Sequence, residues 1–443
     1  MKKNLIIPLA TIAVLYLGCS KSNNSDNGPK NNTPAPVKIE IVSGSGQADT
    51  VGLQLANLIV VKVTQNGNPV AGYNVEFQGS GCNQDLTLIE TTQADGTTSY
   101  VWRLAGDVGQ QTVKAYALNA QNQKVDSATA TGTGIAPGPG WHNSACSIVG
   151  GLTVAAICKL STGKLFACYQ DKGYIRYSDD NGASWYALND LGNNHEFSLI
   201  LSSPSDELYA FAYNEGTFYS KDAGQTWTQL SSPPFSTANI SAGICTPNGK
   251  LIITTPGDVS VSLDKGQTWA RTPSSGFPVP GANGGDDEDF GSPTEDKSGN
   301  LYVAGREGGT IYESTDNGGT WSAISKPQGE DDFGFYVDNN NWYYKVIGGS
   351  PNAGLYLSKD NGATYTELFS APFYFLHLFS IQSDGNYYFE NVFTGLYQST
   401  GITASVKLIS SIRTQTNAPY IVAKNGNVVT GYDGNLFITY LNK

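Results

Sequence analysis

From Val37 to the C-terminus, apolar and polar residues alternate in short runs, the period of two that predicts β-strands. Between Val37 and Gly134 the runs read "VKIEIVSG", "LIVVKVTQ", "YNVEFQGS", "TTSYVWRLA", "QTVKAYAL" and "DSATATGTG". Turn signals part them, notably "NGNPVAG" (Asn66–Gly72) and "ADG" (Ala94–Gly96). About seven strands in about a hundred residues predict an antiparallel two-sheet sandwich over 37–134, with Trp102 in its core. The Pro/Gly-rich "GIAPGPG" then predicts a linker over 135–140, and a second domain runs over 141–443.

That second domain is patterned around one octet. "SDDNGASW" (Ser178–Trp185) returns as "SKDAGQTW" (Ser220–Trp227), "SLDKGQTW" (Ser262–Trp269), "STDNGGTW" (Ser314–Trp321) and "SKDNGATY" (Ser358–Tyr365). The serines lie 42, 42, 52 and 44 residues apart, the spacing of propeller blades. Each octet follows one apolar strand and leads into another, so it predicts a hairpin turn. Ser and Asp side chains accept bonds from backbone amides there, and Gly supplies the positive φ. The closing aromatic returns to pack between blades, and four of the seven tryptophans occupy that position. The pattern extends to "LHLFSIQSDGNYYFENVFTGLYQST", a sixth blade with a decayed turn at Ser399. "APYIVAKNGNVVTGYDGNLFITYLNK" supplies three strands of a seventh, and residues 141–148, "WHNSACSI", would add its fourth. Closing a ring in this way removes free sheet edges.

The octets resemble the Asp-box, or BNR, repeat of sialidases, xyloglucan-degrading glycoside hydrolases, sortilin-type receptors and a plant photosystem assembly factor. The resemblance implies structural roles for Asp180, Asp222, Asp264, Asp316 and Asp360, on turns between third and fourth strands, away from the ligand face. The run "NGNPVAGYNVEF … TTQADGTTSYVWRL … GQQTVKAYAL" resembles bacterial immunoglobulin-like domains of the invasin/intimin type, most of which are spacers. The expected fold class is all-β: an immunoglobulin-like β-sandwich followed by a seven-bladed β-propeller with Asp-box turns.

Composition narrows the partners. Of 443 residues only 14% are charged, the formal charge is −12, and no basic patch is present, which argues against a nucleic-acid partner. The N-terminus, "MKKNLIIPLATIAVLYLGCS", places Lys2 and Lys3 before an apolar run, Leu5 to Leu17, that is too short to span a bilayer comfortably. It resembles a bacterial lipoprotein signal, with Tyr16 standing where Leu is usual. The resemblance implies a signal over 1–19 with Cys19 lipidated, and hence a lipid anchor in the cell envelope, at the outer membrane. Residues 20–36, almost without apolar side chains, then form a flexible tether. Cys82, Cys146, Cys158, Cys168 and Cys245 remain, an odd number that cannot all pair internally. Cys158 and Cys168 fall on neighbouring predicted strands and read either as a bridge or as small buried thiols.

Ligand chemistry is expected on the face opposite the octets. The loops leading into three blades, "NNHEFS", "GGDDEDFGS" and "GEDDFGF", each set a carboxylate before Phe: Glu196, Asp289 and Asp332. The long loop after Thr272 adds Asp286, Asp287 and Glu288, and the second loop set adds Glu215 and the pair Arg306–Glu307. Glu196, Asp289, Arg306, Glu307 and Asp332 are the candidate ligand-binding residues, with Phe290 or Phe333 as a stacking surface for sugars. Asp286, Asp287 and Asp289 are candidate calcium ligands, being hard oxygen donors; no cofactor is required. The same acids also have a plainer reading, as solvated loop charge on an acidic protein. The histidines, His142, His195 and His377, are scattered, and no zinc-ligand spacing occurs.

Sialidases use an arginine triad and an early Phe/Tyr-Arg-Ile-Pro motif. Here the second domain holds Arg176, Arg271, Arg306 and Arg413, none in such a motif, so no catalytic residue carries over. Two functions follow from the sequence. One is a monomeric, non-catalytic envelope lipoprotein whose propeller binds a glycan or protein ligand. The other is a glycoside hydrolase with an unrecognised carboxylate pair.

Overall fold

The computed structural model describes residues 36–439 apart from 80–87, 107, 139–140, 145–152, 171–173, 189–190, 192–194, 231–232, 238–239, 274–276, 278–289, 306–309, 326–330, 339, 342, 349–353, 371–375, 382–385, 392–394, 401–405, 411–418 and 433–434. Strands account for nearly all its regular structure, and among the described residues no helix is long and apolar enough to cross a membrane.

Two sheets make up the N-terminal part. Val37–Ser43, Ile59–Gln65, Asn68–Pro69 and Thr97–Tyr100 form one. Gln47–Thr50, Lys124–Ile135, Gly109–Leu118, Asn74–Gly79 and Leu88–Thr91 form the other, in that order. Alternation decides what each strand buries: Gln111, Val113, Ala115 and Ala117 are buried, while Thr112 and Lys114 between them are exposed. The inward sets of both sheets, among them Ile59, Val61, Val75, Phe77 and Trp102, share one core.

Among the described residues, the strands from 141 onward gather into seven four-stranded sheets, six of them built from four consecutive strands. The first holds Val154–Lys159, Leu165–Tyr169, Ile175–Ser178 and Tyr186–Ala187; the second holds Phe197–Ser202, Leu208–Ala212, Gly216–Ser220 and Thr228–Gln229. The third to sixth span 242–273, 294–325, 331–370 and 376–410. Second strands such as Leu165–Tyr169, Leu208–Ala212 and Leu251–Thr255 are buried at every residue. They are continuous rather than alternating in hydrophobicity because both of their faces are covered. At the outside, Thr228–Gln229 is exposed.

The seventh sheet is built from both ends of the domain. Tyr420–Val422, Val428–Tyr432 and Asn435–Thr439 are joined by Trp141–Asn143, which pairs antiparallel with the last of them in the register Trp141↔Thr439 and Asn143↔Phe437.

The octets form nearly identical turns. In the first, Ser178 Oγ donates to Asp180 Oδ1 (2.7 Å) and accepts from the Gly182 amide (2.9 Å), and Asp180 Oδ1 accepts from the Ser184 amide (2.8 Å). The same three bonds recur at 2.7–2.9 Å in the other four. Two successive residues of each turn are left-handed, Asn181 at φ 60° and Gly182 at φ 89° in the first, which is why glycine recurs there. Trp185, Trp227 and Trp269 donate Nε1 back to the turn glycine's carbonyl at 3.0–3.2 Å. Burial sets the first octet apart. Ala183 and Ser184 are buried, whereas Gln225–Thr226, Gln267–Thr268, Gly319–Thr320 and Ala363–Thr364 are exposed.

Candidate functional site

First strands of the first to fifth and seventh sheets line a common cavity of about 930 Å³. Its side walls carry small and hydroxyl side chains such as Ala156, Ser198, Gly243 and Thr294. Charge collects at one end. Asn248, Asp296, Lys297 and Asp338 lie in turns that follow the first strands. In an antiparallel four-strand meander those turns share a side with the third-to-fourth-strand turns, so this is the octet side.

Beneath the wall on that side lies an ion pair between Lys250 Nζ and Glu295 Oε1 at 2.8 Å, with the Glu295 side chain 1% exposed. Lys250 also donates to the Gly299 carbonyl at 2.7 Å, joining the third sheet to the fourth. Among the described residues neither Glu295 oxygen has a hydrogen-bond partner, so the contact is an ionic one. Desolvation of both charges offsets much of the attraction in a buried pair of this kind, whereas removing one partner would leave the other charge buried and uncompensated.

Tyrosines tie the neighbouring turns. Tyr302 Oη lies 2.8 Å from Glu313, 3.1 Å from Asp296 and 3.1 Å from Tyr343 Oη, and burial raises its pKa. Burial, and then the bond to Glu207, pushes Tyr219 up to about 12. Burial alone would raise Glu207, but the bonds from Lys265 and Tyr219, both 2.6 Å, outweigh it and hold the carboxyl low. These acids are engaged in joining sheets.

The other end of the second sheet presents a different group. His195 Nδ1 contacts the Glu215 carboxylate, and its ring lies 4.9 Å from that of Phe218. Glu196, next in the chain, is exposed, as is Tyr213 across the strand pair. Of the candidates named from sequence, Glu196 therefore stands at this end of the second sheet. Asp332 lies in strand Asp331–Val337, its backbone paired with Ile347, while its side chain is outside the described part. Asp286, Asp287, Asp289, Arg306 and Glu307 lie outside the described residues, as does the lipidation candidate Cys19. Among the described residues no three His, Cys, Asp or Glu side chains are grouped to hold a metal ion.

One expectation is corrected. Phe290 cannot be a stacking surface: it is fully buried, 4.6 Å from Phe277 and 6.3 Å from Tyr312. Phe197 is buried likewise, so two of the three acid–Phe pairs send their Phe into the core. Cys158 and Cys168 are free and buried, and burial pushes the Cys168 thiol up to about 12. Cys158 pairs with Phe166 and Cys168 with Ala156, so the thiols are diagonal neighbours. Sequence pattern singles out neither His195, one of three scattered histidines, nor Tyr213, which lies in no motif.

Residues 107–328, half of the chain, match the model of the DUF6242 β-propeller domain. The chain belongs to the DUF6242 β-propeller family. The match begins within the N-terminal sheets and runs through the fourth sheet of the propeller. The DUF6242 protein is also 27% identical over 224 residues to a xyloglucanase of Paenibacillus sp., a match covering 48% of this chain and 21% of that one. It thus spans about a fifth of the length of this curated relative. Among solved structures, a streptogramin B lyase superposes with a TM-score of 0.54 at 13% identity, over 68% of this chain and 97% of the other. A YCF48 protein bound to a D1 peptide gives 0.50 at 12% identity, over 70% and 97%. At these identities the two likenesses establish the propeller fold alone.

Proposed function

We propose that this DUF6242 protein is an exported, lipid-anchored protein of the bacterial cell envelope whose propeller binds a glycan. In this reading Cys19 carries the lipid, the seven sheets are blades of one seven-bladed propeller with Asp-box turns, and an immunoglobulin-like sandwich serves as spacer. The observation that carries the reading is the cavity. Its volume of about 930 Å³, framed by inner strands with hydroxyl, amide and carboxylate groups, has room for a short oligosaccharide. The partial likeness to a xyloglucanase supports a glycan over a protein as the ligand.

The same relative favours a second reading, glycoside hydrolysis. One experiment separates the two. The protein is titrated with xyloglucan oligosaccharides by calorimetry, and the mixture is then assayed for new reducing ends. Heat of binding without new ends supports the binding protein; accumulating ends support the hydrolase; neither signal refutes the glycan reading. Separately, Cys19→Ser is expected to move the protein out of the membrane fraction.

A further inference from the structure

The pairing between the first two strands of the second sheet continues one residue beyond them. Phe197 pairs with Ala212, and the Tyr213 amide donates to the Glu196 carbonyl, so Glu196 and Tyr213 stand opposite one another. Opposed residues of an antiparallel pair put their side chains on the same face, with Cβ atoms roughly 5 Å apart. Both side chains are exposed here. Among the Phe, Tyr and Trp side chains that the structure describes, Tyr213, at 44%, is the one left exposed; the others are buried or half-buried. The pair sets an aromatic ring beside a carboxylate on one open face, the two kinds of group that a sugar's apolar face and its hydroxyls need.

Its hairpin is fixed before any ligand arrives. Asn214 takes the left-handed region at φ 56°, and its amide donates to Thr237 Oγ1 at 3.0 Å. Gln229 Nε2 donates to the Glu215 carbonyl at 2.9 Å, and the Glu215 carboxylate meets His195, whose ring rests on Phe218. A platform held this way loses little freedom on binding.

We infer that Glu196 and Tyr213 form a sugar subsite at the end of the second sheet opposite the octets, an inference that rests on the glycan-binding reading above. A pyranose ring offers an apolar face of C–H groups and an equatorial belt of hydroxyls. The face stacks on Tyr213, and hydroxyls donate to Glu196, which as a carboxylate accepts more strongly than a neutral group. His195 and Glu215 are positioning residues, acting through the hairpin.

The probes are xyloglucan oligosaccharides and cellohexaose, titrated into the full-length protein and its variants by calorimetry, with melting temperatures recorded alongside. Tyr213→Ala is expected to weaken binding at least about tenfold, Tyr213→Phe to stay within about twofold, and Glu196→Gln to weaken it several-fold. Melting should not move, because both side chains are exposed. If Tyr213→Ala binds the probes as the unmodified protein does, the subsite is overturned while glycan binding in the channel stands. If the unmodified protein binds neither probe, both readings fall.

Discussion

The amide of Gly106, in the N-terminal sandwich, donates a 2.6 Å hydrogen bond to the hydroxyl of Ser184 in the first octet. A Cβ on Gly106 would lie 2.1 Å from the Ala183 Cβ and 2.2 Å from its carbonyl carbon, so only glycine fits. The segment is braced from behind: Gln111 accepts from the Ala105 amide at 2.8 Å and donates to its carbonyl at 3.1 Å. This contact explains why Ala183 and Ser184 are buried while their counterparts in the other octets are exposed. The sandwich thus rests on the octet side of the first sheet, and Val37–Lys443 forms one compact unit. The end of the second sheet that carries Glu196 and Tyr213 belongs to the other side.

Gly106→Val is therefore expected to separate the sandwich from the propeller without unfolding either. Forcing a side chain into a closed contact costs about 1–3 kcal/mol. Calorimetry should resolve one melting transition into two, and a protease should cut within 135–140 more readily. A single transition at the original temperature would show that the contact does not couple the two parts.

Much of this arrangement is legible in the sequence. The octet spacing predicts the repeating four-stranded sheets, because each octet must turn between two strands. The positions of Trp102 and Trp185 in the core follow from alternation and from the turn. Ser184 is a further signal, since the other four octets have Thr at that place. Its meaning depends on Gly106, 78 residues away, and no local pattern links the two. The pairs Lys250–Glu295 and His195–Glu215 are hidden for the same reason: strand register and the packing of separate sheets bring them together. Phe290 misleads because a Phe after an acid looks like a loop aromatic, whereas its backbone bridges to Gly305 and its ring turns into the core.

The octet aspartates predict an acid limit to stability. Bonds from the hydroxyl and amide of Thr226, and from Ser220, hold Asp222 at about 2. Asp360 and Asp316 are likewise held at about 2 by Thr364 and Thr320, and Asp264 is lowered by Thr268. These pKa values are depressed in the folded state, so the stabilisation is present above the unfolded value, about 3.9. It is lost as pH falls through the folded values. Melting temperature should drop between about pH 4 and pH 2, and the drop should shrink in an Asp316→Asn, Asp360→Asn double variant. An unchanged acid limb in that variant would assign the loss to other carboxylates.

One octet carries avoidable strain. Ala223 sits at φ 55°, a region that costs an L-residue with a Cβ and no polar side chain about 1 kcal/mol or more. Three other octets place Asn at this position, at φ 57–61°. Ala223→Asn should therefore stabilise the protein by roughly 0.5–1 kcal/mol, since Asn tolerates the left-handed region. Chemical denaturation provides the measure, with Ala223→Gly as a control that relieves the same strain but loosens the unfolded chain. If Asn and Gly both destabilise, the Ala223 methyl, which packs against a core cluster, matters more than the backbone.

The last sheet depends on a strand from the start of the domain, and Ser144 secures that strand twice. Its amide donates to the Leu436 carbonyl at 2.8 Å, extending the pairing of Trp141–Asn143 with Asn435–Thr439, and its hydroxyl donates to the Gly182 carbonyl at 2.6 Å. Gly182 belongs to the first octet, so one buried serine connects the seventh sheet, the first sheet and the chain entering them. A chain starting at residue 141 keeps these bonds, whereas one starting at 145 leaves the edge of Asn435–Thr439 unpaired. The longer chain should unfold in one sharp transition, and the shorter one in a broad transition with lower denaturant dependence. Ser144→Ala isolates the hydroxyl: the Gly182 carbonyl keeps its bond from Trp185 Nε1, so the loss should cost about 0.5–1.5 kcal/mol. Equal unfolding curves for the chains starting at 141 and 145 would mean that the seventh sheet is stable with three strands, and that the closing strand contributes nothing to cooperativity.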